Sequence, residues 1–247
     1  FRSERDPVTL EWDVVTFQTL VESVDISYQG LRLDLSVDGL TLVAFAYTAD
    51  QTGGHLLVYK RTARTEVSWI LHSRLTPDTF QDQMNAGYVA CSMDGTRLIF
   101  NSSAWYNEEL QNTGGIIVYN YQTETHLYEA EETVLYHPDG AHLSQGCMSA
   151  DGQVIAGFTI YGIAVWRNVA GNWILQPDFL TSGETRFYSD ATGAIDYAVG
   201  INSLSISADG SRILGSGYTF PYLFLYNTDR KSTRLNPVTL ESRMPSS

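Results

Sequence analysis

Residues 90–100 read ACSMDGTRLIF, and three further stretches repeat their pattern: LDLSVDGLTLVAF at 33–45, GCMSADGQVIAGF at 146–158 and LSISADGSRILGS at 204–216. Each holds Ser-x-Asp-Gly followed by an apolar run. The four turns are Ser36, Asp38 and Gly39; Ser92, Asp94 and Gly95; Ser149, Asp151 and Gly152; and Ser207, Asp209 and Gly210. Their aspartates lie 56, 57 and 58 residues apart. Self-similarity at such a period marks an architecture of repeated supersecondary units. Asp-Gly suits a tight hairpin, because Gly tolerates positive φ and the Asp carboxylate accepts nearby backbone N–H groups. The most regular motif of the chain therefore has a structural task, with the preceding Ser as a further local partner.

Every copy continues in the same order. After the apolar run and a loop comes an apolar-to-aromatic stretch: GHLLVYKR (54–61), GIIVYNY (115–121), GIAVWRN (162–168) and YLFLYNT (222–228). Three copies add a fourth stretch, EVSWILHSRL (66–75), THLYEAEE (125–132) and NWILQPDFL (172–180), and EWDVVTFQTL (11–20) reads as the same element of a preceding copy. Trp12, Trp69 and Trp173 mark that position. The pieces are short, rich in β-branched and aromatic residues, and bounded by Gly, Asn, Asp and Ser, which predicts strands and no helix. Four strands per unit is the count of a propeller blade. The predicted fold is all-β, a β-propeller of four-stranded antiparallel blades over residues 4–228, with repeats at about 30–76, 86–133, 143–181 and 199–228.

With these units in view, the chain resembles the repeats of integrin α-chain propellers and, more distantly, WD40 proteins. The resemblance covers residues 12–228 and implies a binding or adhesion module. It departs from both families: no Gly-His/Trp-Asp pair of WD40 type occurs, and the Asp-x-Asp-x-Asp-Gly calcium loop is absent. Only Asp34, Ser36 and Asp38 place oxygen side chains at alternate positions. Leu40 and Leu42 follow where a calcium loop would continue with ligands, so a plain hairpin turn is expected there and no cofactor is assigned.

The ends bear on closure. The chain opens with an apparent fourth strand and stops after an apparent third. Residues 11–20 could complete the blade of residues 203–228 and close a four-bladed ring; the other reading is an arc of a larger ring. The last stretch, DRKSTRLNPVTLESRMPSS at 229–247, follows the translation of a common sequencing-library adapter with one frame slip, and FRS at the start matches the partner adapter. Residues 229–247 are therefore expected to be a non-native tail, which favours the arc. Its Arg230, Lys231, Arg234 and Arg243 then carry no information about partners.

Composition narrows the function classes. The chain has 28 Asp+Glu against 15 Lys+Arg and a net charge of -13, and nucleic-acid binding needs clustered positive charge. No nucleic-acid partner is expected, and no apolar run approaches a membrane span. Cys91 and Cys147 lie three and four residues before their aspartates, an offset that reverses the side-chain face in a strand. Small buried residues, not a disulfide, are expected. His137, Asp139 and His142 fit a Pro-Asp-Gly turn better than a metal site. Glu129, Glu131 and Glu132 read as a solvated rim.

No catalytic signature emerges. The most distinctive variable segment is NSSAWYNEELQNTGG (101–115), an insertion between the second and third strands of the second copy. Trp105 and Tyr106 beside Glu108 and Glu109 offer a stacking platform for a sugar or peptide, and loops on a rigid scaffold commonly carry binding. Asn101-Ser102-Ser103 is a glycosylation sequon if the chain is secreted. The expectation is a non-enzymatic module, extracellular or on a cell surface, that recognises protein or carbohydrate through its loops. An intracellular WD40-like scaffold and a glycan-active propeller enzyme are the alternatives.

Overall fold

The structure is a computed structural model. It describes residues 2–5, 12–16, 26–48, 54–66, 68–76, 88–102, 114–131, 134–136, 143–159, 162–176, 201–217 and 223–227. Among them there are strands and turns and no helix. Strands β3 (Ile26–Leu35), β4 (Thr41–Thr48), β5 (Gly54–Lys60) and β6 (Ile70–Leu75) form blade 1. Blade 2 is β7 (Tyr88–Cys91), β8 (Arg97–Ser102), β9 (Gly115–Gln122) and β10 (Leu127–Ala130). Blade 3 is β11 (Leu143–Met148), β12 (Val154–Thr159), β13 (Gly162–Val169) and β14 (Asn172–Leu175). Blade 4 has β15 (Ile201–Ile206), β16 (Arg212–Gly217) and β17 (Leu223–Asn227). Each is an antiparallel meander in chain order.

The apolar runs become the middle strands because those are buried on both faces. Val43 and Phe45 of β4 and Leu56 and Val58 of β5 face blade 2, where they join Val89, Leu98, Phe100, Ile117 and Tyr119. Ala46, Leu57 and Tyr59 occupy the other face. Phe45 and Phe100 stack across the seam, ring centres 5.1 Å apart and planes at 25°. The seam between blades 2 and 3 buries Ile99, Ile116, Val118, Leu143, Ile155 and Trp166. That between blades 3 and 4 buries Cys147, Val154, Ala156, Ile163, Val165 and Ile213. Fourth strands are covered on one side only, so β10 buries Tyr128 alone and β14 alternates exposed with half-buried residues.

First strands stand next to one another, β3 by β7, β7 by β11 and β11 by β15, as the innermost layer of the array. Their turns repeat one hydrogen-bond pattern. In the second copy, Ser92 Oγ donates to Asp94 Oδ1 (2.7 Å), Thr96 N–H donates to the same oxygen (3.0 Å), Arg97 N–H donates to Ser92 Oγ (3.0 Å) and Gly95 N–H to the Ser92 carbonyl (3.0 Å). Gly39, Gly95, Gly152 and Gly210 all take φ between 66 and 70°, the left-handed region that glycine enters without a Cβ penalty. The turns also join blade to blade: Asp38 N–H donates to the Met93 carbonyl, Met93 N–H to Ala150 and Ala150 N–H to Ala208. Backbone groups that a tight turn would orphan are thus satisfied by the next blade.

Among the described residues the N-terminal stretch does not close the ring. β2 (Trp12–Thr16) pairs with β1 (Arg2–Arg5) in a sheet of its own, and β17 pairs with β16. Among the described residues the ring is not closed. The described part of residues 11–20 is taken up by a local hairpin, whose two arms are close in sequence, in keeping with the partial ring that the sequence favours. Residues 229–247 lie outside the described residues.

Candidate functional site

Arg32, Tyr88 and Gln145 each stand six residues before the aspartate of their turn, at one level of three neighbouring innermost strands. Equivalent positions of successive blades become neighbours around the axis, and these three side chains touch. Arg32 Nη2 donates to Tyr88 Oη (3.2 Å), and its guanidinium carbon lies 4.6 Å from the centre of the Tyr88 ring. Gln145 Nε2 donates to the same oxygen from the other side (2.8 Å). Gln145 is buried, Tyr88 half-buried and Arg32 exposed. A phenol oxygen that accepts two bonds has its own proton left to donate. The row therefore offers a positioned O–H, held in place by an amide and a cation, at the end of the blades opposite the Ser-x-Asp-Gly turns.

One level nearer the turns, Asp34 Oδ2 accepts the Cys91 N–H (2.9 Å) and Oδ1 accepts the Leu35 N–H (2.9 Å). Asp38 Oδ1 is taken by Ser36 Oγ (2.6 Å) and the Leu40 N–H (2.9 Å). The oxygens read as a candidate calcium loop thus serve the next blade and the turn itself. Among the described residues no three His, Cys, Asp or Glu side chains gather as a metal site, and His137, Asp139 and His142 lie outside them. Both cysteines are free and buried. Burial pushes the Cys91 thiol far above its ordinary value, with Asp34 adding to the rise, and pushes Cys147 up to about 12. Both shifts disfavour the thiolate that nucleophilic chemistry needs.

Of the residues singled out in the variable segment, Trp105, Tyr106, Glu108 and Glu109 lie outside the described residues. The strands that hold the segment are described: β8 ends at Ser102 and β9 begins at Gly115, and Asn101 pairs with Tyr88. The segment is thus rooted at the end of blade 2 that carries the axial row. Asn101 itself is fully buried; its Nδ2 donates to the carbonyls of Gly115 (3.1 Å) and Leu143 (3.4 Å). That corrects the sequon reading, since an amide nitrogen enclosed between two blades cannot carry a glycan in the folded chain. Three spaced residues define a sequon, but burial is set by a carbonyl 42 residues away.

The rim reading of the acidic group also needs correction. Glu129 is exposed, but Glu131 bridges blades 2 and 3: Asn120 Nδ2 donates to its Oε1 (2.8 Å) and Trp173 Nε1 to its Oε2 (2.7 Å). Arg97 completes the group, donating to Asn120 Oδ1 (2.8 Å) and lying 5.4 Å from the Trp173 ring centre. Beside it is an open, polar cleft of about 440 Å³ lined by Arg97, Asn120, Gln122, Glu129, Glu131 and Asn168. The axial row escaped sequence reasoning because its members are 56 and 57 residues apart. Aligning the copies on their aspartates would have brought Arg32, Tyr88 and Gln145 into one column.

No protein-family model matches the chain, and no curated protein matches it in sequence. Solved structures do match. A periplasmic gluconolactonase of Pseudomonas aeruginosa superposes with a TM-score of 0.54 at 22% identity over 84% of this chain and 55% of its own. A functionally unknown protein of Desulfotomaculum acetoxidans gives 0.55 at 14% identity, over 92% of this chain and 58% of its own. The β-propeller domain of Cps50 (Swd1) from Myceliophteria thermophila gives 0.51 at 10% identity, over 85% of this chain and 55% of its own. The chain is a β-propeller array by this likeness, and it spans little more than half the length of each of these structures. Identities this low carry fold and not function.

Proposed function

We propose that the chain is a non-catalytic binding module that takes a hydroxyl-rich ligand, a carbohydrate, at the axial row and the loops rooted beside it. The observation that carries this reading is the Arg32–Tyr88–Gln145 row, with its doubly accepting phenol oxygen. A sugar hydroxyl both donates and accepts, so it can take the free Tyr88 proton and return a bond to the exposed Arg32 or to a backbone group. Ligand sites of this kind combine a few fixed polar groups with apolar or aromatic walls. Trp105 and Tyr106, on the segment anchored next to Asn101, are proposed as the stacking surface. A protein loop bound at the same end is the scaffold alternative, for which the Cps50 likeness offers only the shared fold.

The gluconolactonase likeness raises the enzyme alternative. Lactone hydrolysis requires a group that activates water. Asp34, two positions along β3 from Arg32, has both oxygens engaged by backbone N–H groups, which supports binding over turnover.

A glycan array probed with the purified chain, followed by calorimetry on the hits, tests the reading. Tyr88→Phe removes the oxygen that organises the row and is expected to weaken a genuine hit roughly tenfold, the scale of one hydrogen bond to a charged or well-placed group. Hits whose affinity is unchanged by both Tyr88→Phe and Trp105→Ala would overturn it, as would conversion of the sugar during the titration.

A further inference from the structure

At the turn end of the seam between blades 1 and 2, three basic side chains surround one ring. Lys60 Nζ lies 3.5 Å from the centre of Tyr121 and 5.0 Å from that of Tyr128. The His72 ring centre is 5.7 Å from Tyr121 and that of His126 is 6.3 Å away, with the Tyr121 hydroxyl 3.0 Å from His126 Nδ1. Lys60 and His72 come from blade 1, and Tyr121, His126 and Tyr128 from the β9–β10 hairpin of blade 2.

What the cluster lacks is a carboxylate bonded to it. Among the described residues no carboxylate bonds to Lys60, which rests on two aromatic faces, although a carboxylate would be expected beside a half-buried ammonium in so acidic a chain. Two acids attract it from the turns, Asp38 and Asp94, without bonding to it, and one oxygen of each is held by its own turn. Asp38 Oδ1 holds Ser36 Oγ and the Leu40 N–H, while Asp94 Oδ1 holds Ser92 Oγ, Thr96 N–H and Thr96 Oγ1. Arg61, the next cation on blade 1, is turned to Trp69 and to the carbonyls of Gly39 and Glu66. Glu124, in the hairpin turn, is exposed. His72 has its Nδ1 on Ser73 Oγ (2.7 Å) and His126 its Nδ1 on Tyr121, leaving both Nε2 atoms without a partner among the described residues. His126 is exposed and His72 and Lys60 half-buried, so solvent reaches the group. Burial holds His72 below its ordinary value, and Lys60 and His126 push in the same direction. One ammonium with no carboxylate bonded to it and two imidazole nitrogens left open are groups that an oxyanion can engage through charge-assisted hydrogen bonds.

We infer that Lys60, His72 and His126 form a binding site for a tetrahedral oxyanion, a phosphate or sulfate, free or carried as an ester on a sugar. The Lys60 ammonium, held below its ordinary value by burial, supplies the charge and the two imidazole Nε2 atoms the directed donors. Tyr121 fixes their spacing, as its ring supports Lys60 and its hydroxyl orients His126. The site stands at the opposite end of the blades from the axial row, and it holds or fails independently of the carbohydrate reading.

Calorimetry and histidine-resolved NMR on the intact chain, at constant ionic strength set with chloride, provide the test. The probes are inorganic phosphate, inorganic sulfate, glucose 6-phosphate and, as the neutral control, glucose. Saturable binding of the oxyanions with none for glucose is expected, accompanied by an upward shift of the His72 and His126 titrations. Lys60→Met is expected to weaken it roughly tenfold or more and Lys60→Arg to restore most of it, on the scale of one charge-assisted contact. Equal affinity for phosphate and glucose 6-phosphate would identify the bare oxyanion as ligand, and tighter binding of the ester would identify the sugar phosphate. No saturation, or saturation that Lys60→Met leaves intact while the variant retains its melting transition, would overturn the proposal.

Discussion

Two seams of the same array solve one problem with different chemistry. At the cross-strand pair just after each Ser-x-Asp-Gly turn, blade 1 has Thr41 opposite Lys60 and blade 2 has Arg97 opposite Asn120. Each pair carries one cation, on the third strand in the first case and on the second strand in the other. Each cation lies against an aromatic that opens the fourth strand of the next blade: Lys60 against Tyr128, and Arg97 against Trp173. At the second seam the cation is enclosed in a satisfied network of Asn120, Glu131 and Trp173. At the first it meets two histidines, and the acids that attract it, Asp38 and Asp94, do not bond to it. The same fold position is therefore a structural clasp in one place and a cation with no bonded acid in the other.

The exchange of Thr41 for Arg97 has its largest consequence at the turn glycines. A Cβ on Gly95 would meet the Thr41 Cβ at 2.5 Å, whereas a Cβ on Gly152 would meet the Arg97 Cδ at 3.3 Å. Both positions have positive φ, which costs an alanine about 1–2 kcal/mol. The β-branched Thr41 cannot withdraw as the arginine stem can, so overpacking adds about 1–3 kcal/mol at Gly95. Urea denaturation should show Gly95→Ala clearly less stable than Gly152→Ala. Equal losses would break the comparison by showing that only the backbone conformation matters.

Next in size is Glu131→Ala, which leaves the donors of Asn120 and Trp173 unmatched at the second seam and should cost about 1–3 kcal/mol. The first seam has no such bridge, and Lys60→Met there should cost only about 0.5–1 kcal/mol, the value of an exposed cation–π contact. Thermal melts of the two variants side by side measure the contrast. If Lys60→Met proved as damaging as Glu131→Ala, the first seam would be a clasp as well.

The smallest effect is pH dependence. His72 is depressed from 6.5 by burial first and by Lys60 and His126 after it. A depressed group contributes stability that is complete above its unfolded value and is lost as pH falls toward the folded one. Stability should therefore decline as pH drops below about 6.5, and His72→Gln should flatten that slope. An unchanged slope would place the loss in other groups.

Much of this architecture is legible in the chain because its determinants are local. Ser92, Asp94 and Gly95 close their turn within six residues, and the same side chains recur in every copy. Trp69, Tyr128 and Trp173 open their fourth strands in matching register, and two of them could be read as markers in advance. Glu131 was misread as a solvated rim, since its two partners stand 11 and 42 residues away on different blades. Asn101 was misread as a glycan acceptor for the same reason.

The sequence by itself determined the blade: its period, its four strands and the glycine at each hairpin, all of which depend on contacts between near neighbours. Tertiary structure alone decided which side chains one repeat apart would meet. Stacking blades around an axis places residue n beside its counterpart about 57 positions later, so Arg32 reaches Tyr88, Tyr88 reaches Gln145, and Cys91 reaches Asp34. A residue's neighbour in the next repeat is invisible to local pattern, and it is there that this chain departs from strict repetition.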